Sequence, residues 1–196
     1  METLKHFKLL WVMALWLAAA SPAFAQAEAI SPERKMAIDS LALEKVRDLS
    51  TYIRLIGDKA TPWSEANRVI ERAVELFMEG SRFGVSNVAD GSIVNYPVRT
   101  YLERLLRLNY DRVEIDWFDI QYVSDLELQP DGRYVGVITV FQRFSAYSDE
   151  TGLVYRDQTQ KDITIYVERK ETQIGGRVIG FWDVMLGDVR VKETIR

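Results

Sequence analysis

The stretch VEIDWFDIQYV, residues 113–123, reads as a β-strand whose alternation slips halfway along. Apolar side chains occupy odd positions as far as Trp117 and even positions from Phe118 onward. A slip of one residue exchanges the two faces of a strand, so a regular strand would turn the later apolar residues to the wrong side. One extra residue at Trp117-Phe118, a β-bulge, would return them and would also bend the sheet.

The bulge also decides where the acidic side chains of this strand point. With it, we expect one apolar face made of Val113, Ile115, Trp117, Phe118, Ile120 and Tyr122. The favoured interpretation then places Glu114, Asp116, Asp119 and Gln121 on a solvated outer surface. Without the bulge, Asp119 would share a face with Trp117 and would be an acid in a pocket.

The second half of the chain carries the signature of a sheet. From residue 112 onward the apolar pattern has a period of two and predicts four long strands, at residues 112–128, 134–147, 153–169 and 178–191. Their connections are short and rich in turn residues, such as Gln129-Pro130-Asp131-Gly132. Neighbouring strands are therefore expected to pair as an antiparallel meander.

The first half of the chain carries helix signals. Ser31-Pro32-Glu33 supplies an N-cap, a proline at the first helical position and an acid in the first turn. A second helix is expected to begin at Thr61-Pro62, and a third at Pro97. Between them, Asp90-Gly91 predicts a tight hairpin turn. A chain in which the helices precede the strands has the pattern of the α+β class.

This order of elements resembles the nuclear transport factor 2-like superfamily, which includes ketosteroid isomerase and scytalone dehydratase. The resemblance covers residues 31–194 and rests on the order of the elements. It implies three N-terminal helices packed on a strongly curved, mainly antiparallel sheet that forms a cone with a pocket inside.

The first residues read as an export signal. Lys5 and Lys8 precede an apolar run at residues 9–20, and the small-residue site Ala23-Phe24-Ala25 follows. We expect cleavage before Gln26, a signal peptide at residues 1–25 and a single domain at residues 26–196. The mature protein would then be periplasmic or secreted, without a transmembrane segment.

Composition excludes several kinds of chemistry. The chain has no cysteine, and its one histidine, His6, lies in the predicted signal peptide. Catalytic systems that use His or Cys and metal sites built from them are therefore excluded from the mature protein. The net charge of −4 argues against nucleic acid as a partner. No phosphate loop or calcium loop is recognisable, so we expect no cofactor and no metal.

Two residues interrupt apolar strands and are candidates for a site. Asp183 lies within the apolar run at residues 181–186, where desolvation would raise the carboxyl pKa and favour a general base. Arg143 could hold a ligand carboxylate or pair with Asp183. The expected ligand-binding set is Trp117, Tyr122, Phe141, Arg143 and Asp183.

The favoured hypothesis is a non-catalytic binding or scaffold protein of the cell envelope, which engages a partner protein or a small apolar ligand through the cone or the outer sheet face. It predicts a dry, packed cone without convergent polar groups. Strands that are apolar on both faces predict a homodimer through the outer sheet face. The alternative is an isomerase-like or dehydratase-like enzyme. There, Asp183 or Asp119 would be the base, and Tyr101 or Tyr122 would polarise a carbonyl.

Overall fold

The computed structural model describes residues 30–87, 90–122 and 124–195, with Tyr122 described through its backbone only. The architecture below is that of the unit formed by residues 31–196. The predicted signal peptide lies outside the described residues. Within the described ranges, no helix combines the length and the apolarity needed to span a bilayer.

Helix α1, Pro32–Gly57, confirms the first helix prediction. The Ser31 hydroxyl accepts a hydrogen bond from the Arg34 backbone N–H at 3.3 Å, and Pro32 takes the first turn, where no N–H partner is needed. Apolar residues at three- and four-residue spacing form the buried stripe: Ile38, Ala42, Val46, Leu49, Ile53 and Ile56. This stripe packs toward the sheet.

Helix α2 is Trp63–Val74 and helix α3 is Val98–Leu106. The apolar spacing of α2 in the sequence would continue to Phe77, but Phe77 instead forms an isolated bridge with Leu186. Between α2 and α3 lies the predicted hairpin, with strands β1, Arg82–Ser86, and β2, Ile93–Pro97.

The remaining strands are β3, Arg112–Tyr122; β4, Glu127–Leu128; β5, Tyr134–Ser148; β6, Gly152–Ile174; and β7, Arg177–Ile195. They form a seven-stranded sheet of order β2-β1-β7-β6-β5-β3, with β4 also paired to β5. Among the strand pairs of the described residues, β1–β7 is parallel and the others are antiparallel. Three helices on a curved sheet confirm the predicted α+β class, and the fold is consistent with a nuclear transport factor 2-like cone.

Several strand boundaries differ from the prediction, and two of these differences have a visible cause. The segment at residues 112–128 is two strands, because the Ser124 hydroxyl accepts the Val137 N–H that would otherwise bond a strand carbonyl. Strands β6 and β7 extend to Ile174 and Arg177, because Gly175 and Gly176 both have positive φ. This is the backbone requirement of a two-residue hairpin turn that keeps strands paired up to the turn.

The predicted bulge in β3 exists, but two residues further along. Phe118 pairs with Phe141 and Gln121 with Thr139, so that Asp119 and Ile120 together oppose Val140. Asp119 has φ of +47°, in the left-handed region that aspartate tolerates better than an aromatic residue does. The side chain of Asp119 is exposed.

The position of the bulge corrects the predicted apolar face. Pairing is regular through Trp117 and Phe118, so these neighbours point to opposite faces. Trp117 lies on the inner face with Gln142, whereas Phe118 stacks on Phe141 on the outer face with ring centroids 5.9 Å apart. The predicted exposure of Glu114, Asp116 and Gln121 is confirmed.

A second irregularity in the sheet gives a stability prediction. Between the pairs Ile163↔Val189 and Ile165↔Leu186, strand β7 carries an extra residue, and Gly187 lies there. A methyl group at Gly187 would overlap the Tyr166 ring and come within 3.2 Å of Thr164.

We therefore expect Gly187→Ala to lower the free energy of unfolding by about 2 kcal/mol. Gly180→Ala in the same strand is the control. A methyl group there meets only the movable Arg169 side chain, so a change under about 0.5 kcal/mol is expected. Urea denaturation of both variants measures the difference, and equal losses would contradict the overlap.

Candidate active site

A cavity of about 300 Å³ lies against the inner face of the sheet, beside helix α3 and the β1–β2 hairpin. Its walls combine apolar side chains with a set of polar ones. The apolar members include Val85, Val94, Leu105, Leu108, Ile115 and Phe144. The polar members include Tyr101, Arg104, Gln142, Tyr155, Asp157, Thr159 and Lys161.

Strand β6 supplies four of the polar side chains in the cavity wall, those of Tyr155, Asp157, Thr159 and Lys161. Its odd-numbered residues from 157 to 167 are buried, and its even-numbered residues in that stretch are only half-buried. Ile163, Ile165 and Val167 fill the core at one end of this inner face, while Asp157, Thr159 and Lys161 continue it toward the cavity. A strand with period two thus carries an apolar core and a polar site on one face.

Lys161 is buried, with 1% of its surface exposed. The side-chain Nζ donates a hydrogen bond to the Gly84 carbonyl oxygen at 2.8 Å and lies 4.8 Å from the centroid of the Phe83 ring. Burial lowers the pKa of Lys161 to about 7, although the nearby Asp157 carboxylate acts in the opposite direction. A large share of the amine is therefore neutral near physiological pH.

Gly84 brings that carbonyl close because it has no side chain. A Cβ at this position would stand 3.0 Å from the Val189 carbonyl oxygen and 3.2 Å from the Val191 backbone nitrogen. Both contacts are with the backbone of β7, which cannot move aside cheaply. Glycine therefore favours the close approach of β1 to β7, and that contact holds the acceptor for Lys161.

Asp157 is the acid of the cavity and has 8% of its surface exposed. Its Oδ2 atom accepts a hydrogen bond from the Tyr155 hydroxyl at 2.8 Å. The two residues are two apart on β6 and so lie on the same face. The carboxyl group is thus oriented by a side chain that itself lines the cavity.

Tyr101 extends from α3 and is buried, whereas the cavity's other tyrosines, Tyr96 and Tyr155, are half-buried. Its ring stacks on Phe83 with centroids 3.8 Å apart and planes within 6°. Burial, with a further contribution from the Asp157 charge, raises the pKa of Tyr101 above its ordinary value. The hydroxyl therefore keeps its proton at physiological pH and can act as a hydrogen-bond donor.

Three further polar side chains line the cavity, those of Gln142, Arg104 and Asn87. Gln142 Oε1 accepts a hydrogen bond from the Trp117 indole N–H at 3.1 Å, which orients the buried amide. Arg104 is exposed, and its guanidinium carbon lies 4.6 Å from the centroid of the Tyr96 ring. Asn87 is also exposed and lines the cavity. Arg104 and Asn87 mark the rim through which a ligand would enter.

Of the residues proposed from the sequence, Tyr101 lines the cavity. Trp117 donates a hydrogen bond to Gln142, which also lines the cavity. Asp183 lies elsewhere: it pairs across the outer face with Glu168 in register and receives a 2.6 Å hydrogen bond from Lys170. Asp183 is therefore held in an ion pair with Lys170 and does not line the cavity. Asp119 is exposed at the bulge.

Arg143 and Phe141 also lie outside the cavity. The Arg143 guanidinium carbon stands 5.1 Å from the centroid of the Phe118 ring, on the same outer face as Phe141. Strand β6 separates β5 from β7, so the suggested pairing of Arg143 with Asp183 is wrong. Tyr122 pairs with Ile138 through its backbone.

Sequence reasoning missed Asp157, Lys161 and Tyr155, although a signal for them was present. The strand at residues 153–169 was predicted, and its odd positions include three consecutive core residues, Ile163, Ile165 and Val167. Period two places the earlier odd residues on the same inner face. Buried ionisable residues in a strand are rare unless they are paired or functional.

Among the described residues, no group of three or more His, Cys, Asp or Glu side chains could hold a metal ion. The side chains that line the cavity can transfer protons and form hydrogen bonds. They offer an acid, an amine and a phenol in one partly apolar space.

No protein-family model and no curated protein matches the chain. The solved structures that are similar to it include the following three. A protein from Novosphingobium aromaticivorans assigned as a scytalone dehydratase has a TM-score of 0.42 and 12% identity, over 83% of this chain and 90% of that one. A hexachlorocyclohexane dehydrochlorinase, LinA type 2, has a TM-score of 0.38 and 12% identity, over 82% and 91%. Aln2 from a Streptomyces species has a TM-score of 0.36 and 9% identity, over 80% and 91%.

All three structures belong to the nuclear transport factor 2-like superfamily, and similarity at this level concerns the fold. Two of them are named as enzymes, a dehydratase and a dehydrochlorinase. Within this chain, the expected dry cone without convergent polar groups is wrong, because Asp157, Lys161 and Tyr101 line one cavity. The interpretation as a non-catalytic binding or scaffold protein, which predicted such a cone, is corrected accordingly.

Proposed function

We propose that the protein is an enzyme of the isomerase or dehydratase type, which removes a proton from the carbon next to a carbonyl group in a small substrate. One observation supports this above all: a buried carboxylate, a buried amine and a buried phenol line the same cavity. Ionisable side chains are seldom buried without a structural or functional reason. Groups of this kind in a cleft are characteristic of catalytic sites.

Asp157 is the general base in this proposal. Its carboxylate lines the cavity with little exposure to solvent, so it can approach a C–H group of a bound substrate directly. The Tyr155 hydroxyl holds one carboxylate oxygen in place. The base is thus oriented before the substrate arrives.

Tyr101 stabilises the negative charge that develops on the substrate oxygen. Its pKa is raised, so it stays protonated and donates a hydrogen bond. Phe83 fixes the plane of the Tyr101 ring and also contacts the Lys161 amine. Donor and amine are thereby positioned by one aromatic side chain.

The size of the cavity and the side chains that line it indicate which substrates it can bind. A cavity of about 300 Å³ admits a ligand of one or two small rings and is at the lower end of small-molecule sites. Apolar side chains such as Leu105, Ile115 and Phe144 favour a largely hydrocarbon body. Arg104 at the rim favours a substrate that carries an anionic or strongly polar group at its outer end.

The test uses a bicyclic ketone, 2-tetralone, whose hydrogens next to the carbonyl are exchangeable. We expect the protein to accelerate their exchange for deuterium in D2O, followed by proton NMR. Tyr101→Phe keeps the stacked ring but removes the donor, so the exchange rate should fall about 100-fold. Tyr166→Phe, in β6 beneath Arg133, is the control and should retain the wild-type rate.

Two results would contradict the proposal. The first is exchange no faster with the wild-type protein than in buffer alone. The second is an equal effect of Tyr101→Phe and Tyr166→Phe, which would place any activity outside the cavity.

The export of the protein and its assembly with a second copy or a partner protein stay predictions. Export from the cytoplasm rests on residues 1–25, which lie outside the described residues. A homodimer through the outer sheet face and an envelope protein partner are likewise untested. On the outer face, apolar side chains such as Val135, Val137 and Phe141 are half-buried, which is compatible with such a contact.

A further inference from the structure

We infer that Lys161 forms a covalent imine with the carbonyl carbon of the substrate, so that the enzyme acts on aldehydes or ketones through an amine nucleophile. This inference rests on the proposed function, because the imine is the device by which Asp157 would remove the neighbouring proton. It assigns to Lys161 the role of a catalytic residue in contact with the reacting atoms.

The placement of the amine carries the inference. Lys161 lines the cavity and is otherwise enclosed, so the cavity is the space in which its Nζ can meet a small molecule. Its hydrogen-bond acceptor is a backbone carbonyl, that of Gly84. Within the described part of the chain, no carboxylate forms an ion pair with it. A structural lysine at this depth would be expected to pair with an acid.

The contacts of Nζ also suit a nucleophile. A neutral amine has two N–H bonds and one lone pair. One N–H is directed to the Gly84 oxygen at 2.8 Å, which holds the nitrogen in place and leaves its lone pair for a carbonyl carbon. The lowered pKa of Lys161 supports this, because desolvation is a known way to activate a lysine nucleophile.

The covalent step balances without an added oxidant or reductant. The lone pair of Nζ forms a bond to the carbonyl carbon, the carbon–oxygen bond breaks, and the oxygen leaves as water with the two protons of the amine. The imine nitrogen takes up one proton from solvent and becomes cationic. Asp157 then accepts the neighbouring C–H proton, and the electron pair of that bond forms an enamine. Reversal of these steps, with proton return from Asp157 and addition of water, releases the carbonyl compound and the free amine.

Before the imine forms, Tyr101 is the donor to the carbonyl oxygen, which makes the carbon more electrophilic. After it forms, the cationic nitrogen draws electrons from the C–H bond more strongly than a hydrogen bond to oxygen does. A carboxylate such as Asp157 then suffices as the base. The three groups thus have separate and successive tasks.

The experiment traps the imine in the full-length protein. The protein is incubated with 2-tetralone and sodium cyanoborohydride, digested, and mapped by mass spectrometry, while deuterium exchange is measured on the same preparation. We expect a mass gain equal to the ketone less one oxygen atom, on the peptide that contains Lys161. Trapping should increase as the pH rises through about 7, where the amine loses its proton.

Lys161→Met is the variant and should lose the adduct at residue 161. Lys59→Met is the control, since Lys59 is an exposed amine that donates to the backbone carbonyl oxygen of Leu108 and lies outside the cavity. It should leave the adduct at Lys161 unchanged. Adducts confined to Lys59 or other exposed lysines would overturn the inference.

The outcomes separate this inference from the proposed function. Exchange with an adduct at Lys161 supports both. Exchange that is lost in Asp157→Asn but leaves no adduct at Lys161 overturns the imine and retains the proton-transfer enzyme. Absence of both exchange and adduct overturns both.

Discussion

Replacing Lys161 by methionine is expected to raise the free energy of unfolding by about 3 kcal/mol at pH 7. Each pKa unit corresponds to about 1.4 kcal/mol, so a change from 10.5 to about 7 represents a burial cost of roughly 5 kcal/mol. Loss of the hydrogen bond to Gly84 offsets about 1 to 2 kcal/mol of the gain. Methionine fills nearly the same volume without a charge.

The effect of pH on the wild-type protein follows from the same shift. Between about pH 7 and pH 9, the unfolded chain keeps the Lys161 proton while the folded protein has largely released it. The unfolded state then binds more protons, so wild-type stability should rise with pH over this window. Below pH 7 the contribution is constant. Lys161→Met should lack this rise.

Urea denaturation at pH 7 and at about pH 9 measures both effects. Lys192→Met is the control, because Lys192 is exposed and pairs with Asp162 at 3.2 Å. It should change stability by less than about 1 kcal/mol. If Lys161→Met were less stable than the wild-type protein and kept the same rise of stability with pH, the prediction would be wrong. Lys161 would then stabilise the folded state.

Replacing Asp157 by asparagine should reduce the exchange rate of 2-tetralone about 1,000-fold. A positioned general base contributes between about 100-fold and 10,000-fold, and the amide cannot accept the proton. The substitution keeps the shape of the side chain and an oxygen that can accept the hydrogen bond from the Tyr155 hydroxyl. The fold should therefore survive, and circular dichroism would verify this.

Asp162→Asn is the matched control in the same strand. Asp162 lies next to Lys161 in sequence but on the opposite face, where it accepts a hydrogen bond from the Thr139 hydroxyl at 2.6 Å and pairs with Lys192. Its replacement should leave the exchange rate within about two-fold of wild type, since it does not line the cavity. If Asp157→Asn and Asp162→Asn had equal rates, Asp157 would not be the base.

Local pattern was sufficient to predict the elements of the fold. The cap at Ser31, the stripe of α1 and the period of two after Arg112 depend on neighbours in sequence, and the structure confirms them. The existence of the bulge in β3 could also be predicted from the sequence, but its position could not. Alternation indicates that one residue is extra, whereas the site of the bulge depends on which residue tolerates the left-handed region, and that is Asp119.

The site was harder to predict because several distant segments build it. The Gly84 carbonyl reaches Lys161 only because β1 lies beside β7, a parallel contact that no sequence period indicates. The apolar neighbours of Asp183 in sequence suggested a desolvated carboxyl group. In the sheet, however, the adjacent strand β6 places Lys170 within hydrogen-bond distance of it. The inner face of β6 could have been predicted from the sequence, because Ile163 and Ile165 are apolar residues at alternate positions of that strand.

The central claim is that the cavity beside Tyr101 and Lys161 receives a small carbonyl compound. Intermolecular nuclear Overhauser effects between 2-tetralone and the protein test it most directly. We predict cross-peaks from the ring protons of the ketone to Tyr101 and Tyr155, and none to Phe181 on the outer face. Cross-peaks to Phe181 without any to Tyr101 would contradict the account.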